Sequence, residues 1–417
     1  MIKNSILLSM LFVFLSIVAE FGITKLPAVA DEAPRVFVLD FKNLVEAKNR
    51  VKSGDPSALP ASRKLLRDAD HALDGGTFSV VDKELVPPGG DKHDYMSLGP
   101  YWWPNPNTAN GLPYVLRDGE FNPERDNTSD RKLLDNMVQR VKTLALGYFF
   151  TGRDAYAAQA AKLLRVWFVD GATKMNPHLK YAQVIPGRNN VRGTGIIDTH
   201  DLPELVDSVG LLTGSKAWNE KDQKDLQNWF DAYLAWLVES PEGRAEARAQ
   251  NNHGSWYDVQ VASYALFLDR KHLATTVLKD FPAKRIAQQI EPDGRQPREL
   301  QRTQAWSYSL FNLQALFDAA SLRDRLGLNL WNFKTQDGRS IRKALDWLIP
   351  FAIGEKKWAY QQISGWQPEK LAPLLRQATL RLGDPSYTAA LSKLSGRVPD
   401  GRENLLYPLA ETSSLPK

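Results

Sequence analysis

The stretch DRKLLDNMVQRVKTLALGYFFTG, residues 130–152, indicates the fold class of this chain. Its apolar side chains recur at steps of three and four residues, the spacing of one buried face of an α-helix. Gly152 ends the pattern, because glycine readily adopts the left-handed conformation of a helix C-cap. The apolar positions are Leu133, Leu134, Met137, Val138, Val141, Leu144, Ala145, Tyr148 and Phe149.

Similar patterns predict helices along most of the chain. They cover residues 155–168, 202–212, 222–238, 257–267, 271–290, 303–326, 341–349, 368–382 and 387–394. Strand-like alternation is confined to residues 35–39. The chain is therefore predicted to be all-α, with antiparallel helix pairs that stack into a bundle, a solenoid or a closed ring. Two long polar loops rich in Gly, Pro and aromatic residues, 87–131 and 176–199, are predicted to carry function.

Composition narrows the classes of function. The 417 residues contain no cysteine, which excludes disulfides, thiolate metal sites and a cysteine nucleophile. A formal net charge of +5 does not indicate nucleic-acid binding, but it fits a polyanionic partner if the positive charge is gathered in one cleft. The 12 Trp and 13 Tyr exceed the needs of a core of this size and favour a carbohydrate cleft.

The first loop contains the first group of candidate binding residues. His93, Tyr95, Tyr101, Trp102 and Trp103 place four aromatic rings and an imidazole within eleven residues. A loop that holds this many rings is expected to present some of them to a ligand, although packing of both tryptophans into the core is the alternative.

A second and a third group are predicted to lie at helix N-termini. Asn251, Asn252 and His253 form a donor-rich patch where the helix dipole favours an anion. Arg302 and Tyr308 are six residues apart, so they meet if the helix start is irregular or the arginine reaches along it. An arginine beside a tyrosine is expected to lower the pKa of the phenol.

A fourth group lies in the second loop. Arg188, Asn190 and Arg192 form a flexible basic segment suited to carboxylates. Asp198, His200 and Asp201, which follow it, are conceivable metal ligands, but their spacing is not a standard one. We therefore predict no metal and no organic cofactor.

Taken in chain order, four strings carry a family resemblance. KHDYMSLGPYWWPNP (92–106), GLPYVLRDGEFNPE (111–124), AQVIPGRNN (182–190) and NNHGSWYDVQ (251–260) resemble the alginate lyase domain of the helical-toroid polysaccharide lyases, in the branch that joins families 5 and 38. The resemblance implies one incomplete (α/α) toroid domain over residues 31–417 and β-elimination on 1,4-linked uronans, most simply alginate. The spacing of Arg302 and Tyr308 suits family 38 better than family 5, so a glucuronan lyase of the same fold is the alternative.

The resemblance also implies roles for individual residues. Asn252 and Arg302 would neutralise the uronate carboxylate, with Asn190 or Arg192 as the alternative donors, while Tyr308 and His253 would act as acid and base. Tyr308 can do both for a syn elimination, as on mannuronate or glucuronate; on guluronate, His253 would be the base. The expected substrate-binding residues are His93, Tyr95, Tyr101, Trp102, Trp103, Arg117, Asn190, Arg192 and Asn251.

Two rival classes compete with a lyase. A glycoside hydrolase on a helical ring would pair Asp198 with Asp293 or Glu299 as acid and base. A non-catalytic binding protein for acidic oligosaccharides would use the same aromatic rings and arginines but would not need Tyr308. In each case the expected partner is an anionic polysaccharide rather than nucleic acid, and the oligomeric state is left open.

The N-terminus predicts export. Lys3, the apolar run of residues 6–19 and the small-residue site Ala28-Val29-Ala30 have the order of a cleaved signal peptide, and the run is shorter than a membrane span. The mature protein is expected to begin at Asp31, without a membrane anchor, in the periplasm or outside the cell. N-terminal sequencing of the native protein should read from Asp31; an intact segment 1–30 would contradict the prediction.

Overall fold

The computed structural model describes residues 33–189, 192–394 and 400–409, and these residues form one compact unit built from helices. The α-helices are, in chain order, α1 Phe41–Ser53, α2 Leu59–Asp74, α3 Asp130–Thr151, α4 Asp154–Leu164, α5 Leu202–Gly210, α6 Glu220–Glu239, α7 Pro241–Ala247, α8 Asn252–Phe267, α9 Lys271–Phe281, α10 Ala287–Gln289, α11 Pro297–Leu300, α12 Ala305–Asp324, α13 Ile341–Ala352, α14 Ala372–Leu382, α15 Pro385–Leu394 and α16 Glu403–Leu406. The all-α prediction is confirmed, and each predicted helix is present. Helices α1, α2, α7, α11 and α16 were not predicted.

Helices α8 and α12 form the centre of the described unit. They pack against each other, and α8 also packs against α5, α6 and α9. Nearly every side chain of both helices is buried, so neither has a distinct polar face. Both helices begin at the same cleft, and their first turns carry Asn252, His253 and Tyr308.

The one predicted strand, residues 35–39, is wrong. This segment is irregular because the buried Asp207 takes up its backbone donors. The amides of Phe37, Val38 and Leu39 donate to the Asp207 carboxylate at 2.6, 2.9 and 2.6 Å. Since one buried side chain satisfies three successive N–H groups, the segment needs no neighbouring strand.

Short strands form inside the two long loops instead. Strand β1 (Met96–Leu98) from the first loop pairs in parallel with β4 (Tyr181–Val184) from the second. Within the first loop, β2 (Trp102–Trp103) pairs antiparallel with β3 (Val115–Leu116). The loops predicted to carry function are thus joined to each other over the start of α8.

The carboxylate of Asp198 holds the two loops together beside the β1–β4 pair. It accepts hydrogen bonds from the Tyr95 hydroxyl at 3.0 Å, the Ser97 hydroxyl at 2.6 Å and the Gln183 amide at 2.7 Å. Arg131 completes the set with an ion pair. Because its oxygens are buried and occupied by these donors, Asp198 holds the loops together and is not placed to act as a hydrolase acid or a metal ligand.

None of the helices in the part of the chain that the structure describes combines the length and apolar character that a bilayer crossing requires. The predicted signal peptide lies outside the described residues.

Candidate active site

A cleft of about 990 Å³ opens where α8 and α12 begin. Its walls carry more positive than negative charge, which suits a polyanion. The lysines and arginines that line it are Arg125, Arg131, Lys132, Arg192, Arg298 and Arg302, and the acids are Asp118, Asp126 and Asp135. An excess of positive charge, which the net charge of the sequence suggested, is therefore concentrated in this cleft.

Tyr308 lies in the first turn of α12 and lines the cleft. Its hydroxyl lies 2.6 Å from the hydroxyl of Tyr101, a hydrogen bond in which either oxygen can donate. The guanidinium carbon of Arg302 lies 3.8 Å from the centroid of the Tyr308 ring. The six-residue spacing is bridged because residues 301–304 are irregular between α11 and α12.

The expectation that Arg302 lowers the pKa of Tyr308 is wrong in its net effect. Burial raises the pKa of the phenol, and the neighbouring Tyr101 adds to the rise. Arg302 acts in the opposite direction but is outweighed. The positive charge of Arg302 faces the Tyr308 ring and is also paired with an acidic side chain. Its effect on the phenol is therefore too small to offset burial, and Tyr308 keeps its proton in the substrate-free cleft.

That acid is Asp118, which the motifs did not single out. Its carboxylate accepts from Nε of Arg302 at 3.0 and 3.1 Å and from the terminal nitrogen at 2.6 Å. It also accepts from the backbone amide of Thr303 at 3.0 Å. The ion pair fixes the guanidinium over Tyr308 and ties the first loop to the start of α12.

His253 is oriented by a second unforeseen acid. Its Nδ1 lies 2.6 Å from a carboxylate oxygen of Glu246, so Nε2 is left for the cleft. Burial acts to lower the pKa of His253, but Glu246 outweighs it and the pKa is raised. Glu246 lies on α7, in a segment that appears as a charged loop in the sequence, so its spacing from His253 carried no helical signal.

Asn252 is held by a third acid, Glu299. The backbone N–H and the side-chain Nδ2 of Asn252 donate to the two Glu299 oxygens at 2.8 and 2.7 Å. Its buried Oδ1 has no hydrogen-bond partner among the described residues, although the residue lines the cleft. A second Nδ2 hydrogen and an open acceptor are therefore available to a ligand, such as a carboxylate and a hydroxyl.

The predicted binding residues divide into two groups. Tyr101, Trp102 and Arg192 line the cleft as expected. The residues that do not line it are His93, Tyr95, Trp103, Arg117 and Asn251, so these predictions are corrected. Asn190 lies outside the described residues.

Each correction has a local cause. Tyr95 is fully buried because its hydroxyl donates to Asp198. The imidazole of His93 contacts the Lys174 carbonyl at 2.7 Å, and Asn251 precedes α8 without entering the cleft.

Trp102 and Trp103 differ because neighbours on a strand point to opposite faces. Trp102 lines the cleft, with the guanidinium carbons of Arg188 and Arg192 at 4.8 and 5.3 Å from its ring. Trp103 donates to the Glu120 carbonyl at 3.0 Å and is covered by Arg117 at 4.9 Å. Neither ring belongs to the hydrophobic core, because Trp103 packs on the hairpin and Trp102 faces the cleft.

The candidate acids of a hydrolase are not free to act as a pair. Glu299 is buried behind Asn252, while the exposed Asp293 is bonded to Arg295 at 2.6 Å outside the cleft. Among the described residues, no three His, Asp or Glu side chains form a group that could hold a metal ion.

Comparison with known proteins identifies relatives. The family model described as alginate lyase matches residues 79–358. The crystal structure of an alginate lyase from Bacteroides ovatus has a TM-score of 0.87 and 42% identity, covering 90% of this chain and 100% of that chain. Among curated proteins, no sequence matches.

More distant structures share the fold. The alginate lyase A1-III from Sphingomonas species A1 has a TM-score of 0.53 and 16% identity, covering 83% of this chain and 95% of that chain. A variant of A1-III complexed with a tetrasaccharide has a TM-score of 0.57 and 15% identity, covering 92% of this chain and 98% of that chain. The predicted helical toroid is confirmed.

The contrast between the two neighbouring tryptophans gives a matched test. Trp102→Ala should raise KM for a uronan about two- to twelvefold, because loss of a stacking ring costs about 0.5–1.5 kcal/mol. Trp103→Ala should leave KM unchanged and lower the melting temperature. Steady-state kinetics and thermal unfolding measure both; an equal rise in KM for the two variants would contradict the assignment.

The pairing of His253 with Glu246 predicts a change in pH dependence. A histidine acts as a base above its pKa, and Glu246 raises that pKa. Glu246→Gln removes the negative charge, so the acidic limb of kcat on guluronate linkages should move by about one unit to lower pH. Glu242→Gln, on the same helix, is the control. An unmoved limb would show that His253 is not the titrating base.

Proposed function

Because the chain belongs to the alginate lyase family, we propose that it depolymerises alginate by β-elimination, with Asn252, His253, Arg302 and Tyr308 as the catalytic residues. The observation that carries the proposal is their convergence on one basic cleft from two helix starts. Export to the periplasm or beyond the cell, and a single mature domain of residues 31–417, form part of the proposal.

The reaction first requires charge neutralisation. The C5 proton of a uronate is weakly acidic because the adjacent carboxylate is already negative, so the enolate-like intermediate needs nearby donors. Arg302 and the free Nδ2 hydrogen of Asn252 are placed to bind that carboxylate. Asp118 and Glu299 hold the two donors in position, so little reorganisation is needed when charge develops.

Proton transfer then completes the elimination. A base removes the C5 proton, the electron pair of that bond forms the C4–C5 double bond, and the C4–O bond breaks. The departing oxygen receives a proton from an acid, so the products are an unsaturated end and a new hydroxyl. No water or hydride is consumed.

Tyr308 is suited to be the acid because burial keeps its phenol protonated. On mannuronate-type linkages, where the C5 proton and the leaving oxygen share a face, it must first lose that proton in order to act as the base. The guanidinium of Arg302 over the ring supports the phenolate, because its charge acts to lower the pKa of Tyr308.

His253 is suited to act on guluronate-type linkages, where the proton lies on the opposite face. With Nδ1 bonded to Glu246, its neutral form presents the Nε2 lone pair to the cleft. Tyr308 can then remain the acid throughout, so the two geometries use one acid and two bases.

The removal of one oxygen atom tests the proposal. Tyr308→Phe keeps the ring and should fold and bind uronan normally, but its turnover should fall about 100-fold or more. His253→Ala should keep residual activity on mannuronate or glucuronate linkages and lose activity on guluronate. Arg302→Ala should also reduce turnover.

Ultraviolet absorbance of the unsaturated product, on a panel of alginate blocks and glucuronan with a chelator present, is the measurement. Tyr156→Phe is the matched control, because its hydroxyl bonds to Asp70 at 2.7 Å away from the cleft. A Tyr308→Phe protein that keeps most of its kcat would show that another group is the acid. Saturated products would indicate a hydrolase.

A further inference from the structure

Apolar side chains are gathered on one rim of the cleft. Eight large hydrophobic side chains are exposed among the described residues, and four of these lie here, namely Leu116, Phe121, Ile363 and Trp366. Leu116 and Phe121 line the cleft itself. Ile363 comes next, because its Cδ1 lies 3.1 Å from the point that a Cβ on Gly119 would occupy. An apolar band thus leads from the cleft towards residues 359–367, which we name the outer loop.

The outer loop is fastened to the segment that carries the catalytic residues. The amide of Ile363 donates to the Thr303 carbonyl at 3.1 Å, and the amide of Ala305 donates to the Gln361 carbonyl at 3.0 Å. Gln304 and Gln362 form an isolated antiparallel bridge between these bonds. The loop is therefore held against residues 302–308 by backbone contacts and does not depend on side-chain packing alone.

Trp366, near the end of the outer loop, belongs to a group of rings that also includes side chains from α13 and from residues 358 and 360. We name this group the aromatic platform. Its members are Trp347, Phe351, Trp358, Tyr360 and Trp366, and neighbouring centroids within it are 4.9–6.1 Å apart. The buried Trp306 supports the platform from below, with its ring 4.6 Å from that of Trp366. Packing alone would bury the outermost ring, yet Trp366 remains 41% exposed.

The turn that presents Trp366 is held by Gln362. The side-chain Nε2 of Gln362 donates to the Ser364 hydroxyl at 2.9 Å and to the Gly365 carbonyl at 3.2 Å. Gly365 has a φ of +85°, a conformation that glycine adopts without strain. The indole is therefore presented by an ordered turn at the end of the apolar band.

From this arrangement we propose that the platform is an outer subsite for the uronan chain as it leaves the catalytic cleft. A pyranose ring presents a face of C–H groups, which stacks on an exposed indole, and each uronate also carries one carboxylate. Lys356 and Lys357 are exposed directly before Trp358 and supply positive charge beside the platform. The inference rests on the proposed function, because the occupant is the same polymer that the cleft cleaves.

An outer subsite affects long substrates and not short ones. Trp366→Ala should raise KM for polymeric uronan about tenfold, equivalent to about 1.4 kcal/mol, and should leave kcat/KM for a trisaccharide unchanged. Trp366→Phe should restore most of the loss. Leu380→Ala, which removes an exposed apolar side chain on α14, is the matched control and should change neither value.

The outcomes separate the two proposals. If the wild type cleaves uronans and Trp366→Ala changes polymer and trisaccharide kinetics equally, or changes neither, the outer subsite is wrong and the proposed function stands. If the wild type cleaves no uronan, the proposed function fails and the subsite fails with it. Ile363→Ser, at a position 53% exposed, is a second variant that should raise KM for the polymer selectively even if Trp366→Ala unfolds.

Discussion

The buried carboxylate of Asp198 is the interaction on which the cleft depends. It accepts donors from both long loops and from Arg131, so β1 and β4 stay paired over the start of α8. Leaving one partner of such a buried set unpaired costs more than forming the set gains, so the arrangement resists partial opening. Asp198 therefore joins the two loops to each other, while Asp118 ties the first loop to the start of α12, where Tyr101 meets Tyr308.

A carboxylate likewise holds each of three proposed catalytic residues. Asp118 holds Arg302, Glu246 holds His253 and Glu299 holds Asn252. Each acid fixes the direction of a donor or a lone pair, and Asp118 also offsets part of the cost of burying the charge of Arg302. The cleft remains basic because Arg192, Arg298, Lys132 and Arg125 also line it, and a polyanion can bind there while the catalytic groups keep their orientation.

The sequence predicted the helices well because their apolar spacing is local information. It also singled out Asn252, His253, Arg302 and Tyr308, which the structure brings together in one cleft. The acids that position these residues could not be predicted from local sequence in the same way. Asp118 is separated from Arg302 by 184 positions, and Glu246 contacts His253 through a turn with no periodic signal. The sequence also assigned Trp102 and Trp103 the same binding role. Because neighbouring residues on a strand point to opposite faces, only Trp102 faces the cleft. The irregular segment at residues 35–39 shows the same limit, since its partner Asp207 is distant in sequence.

The surroundings raise the pKa of both groups that are proposed to transfer protons. Burial raises the pKa of Tyr308, while Glu246 outweighs burial and raises the pKa of His253. The substrate-free cleft therefore favours the protonated form of each. A protonated His253 cannot remove a proton, but its charge would help Arg302 to neutralise the uronate carboxylate. Tyr308 would then have to release its proton to solvent in the open cleft before a syn elimination. Hence the protonation state of His253 decides whether the cleft has a second base or an additional cation, and Glu246 sets the pH at which one replaces the other.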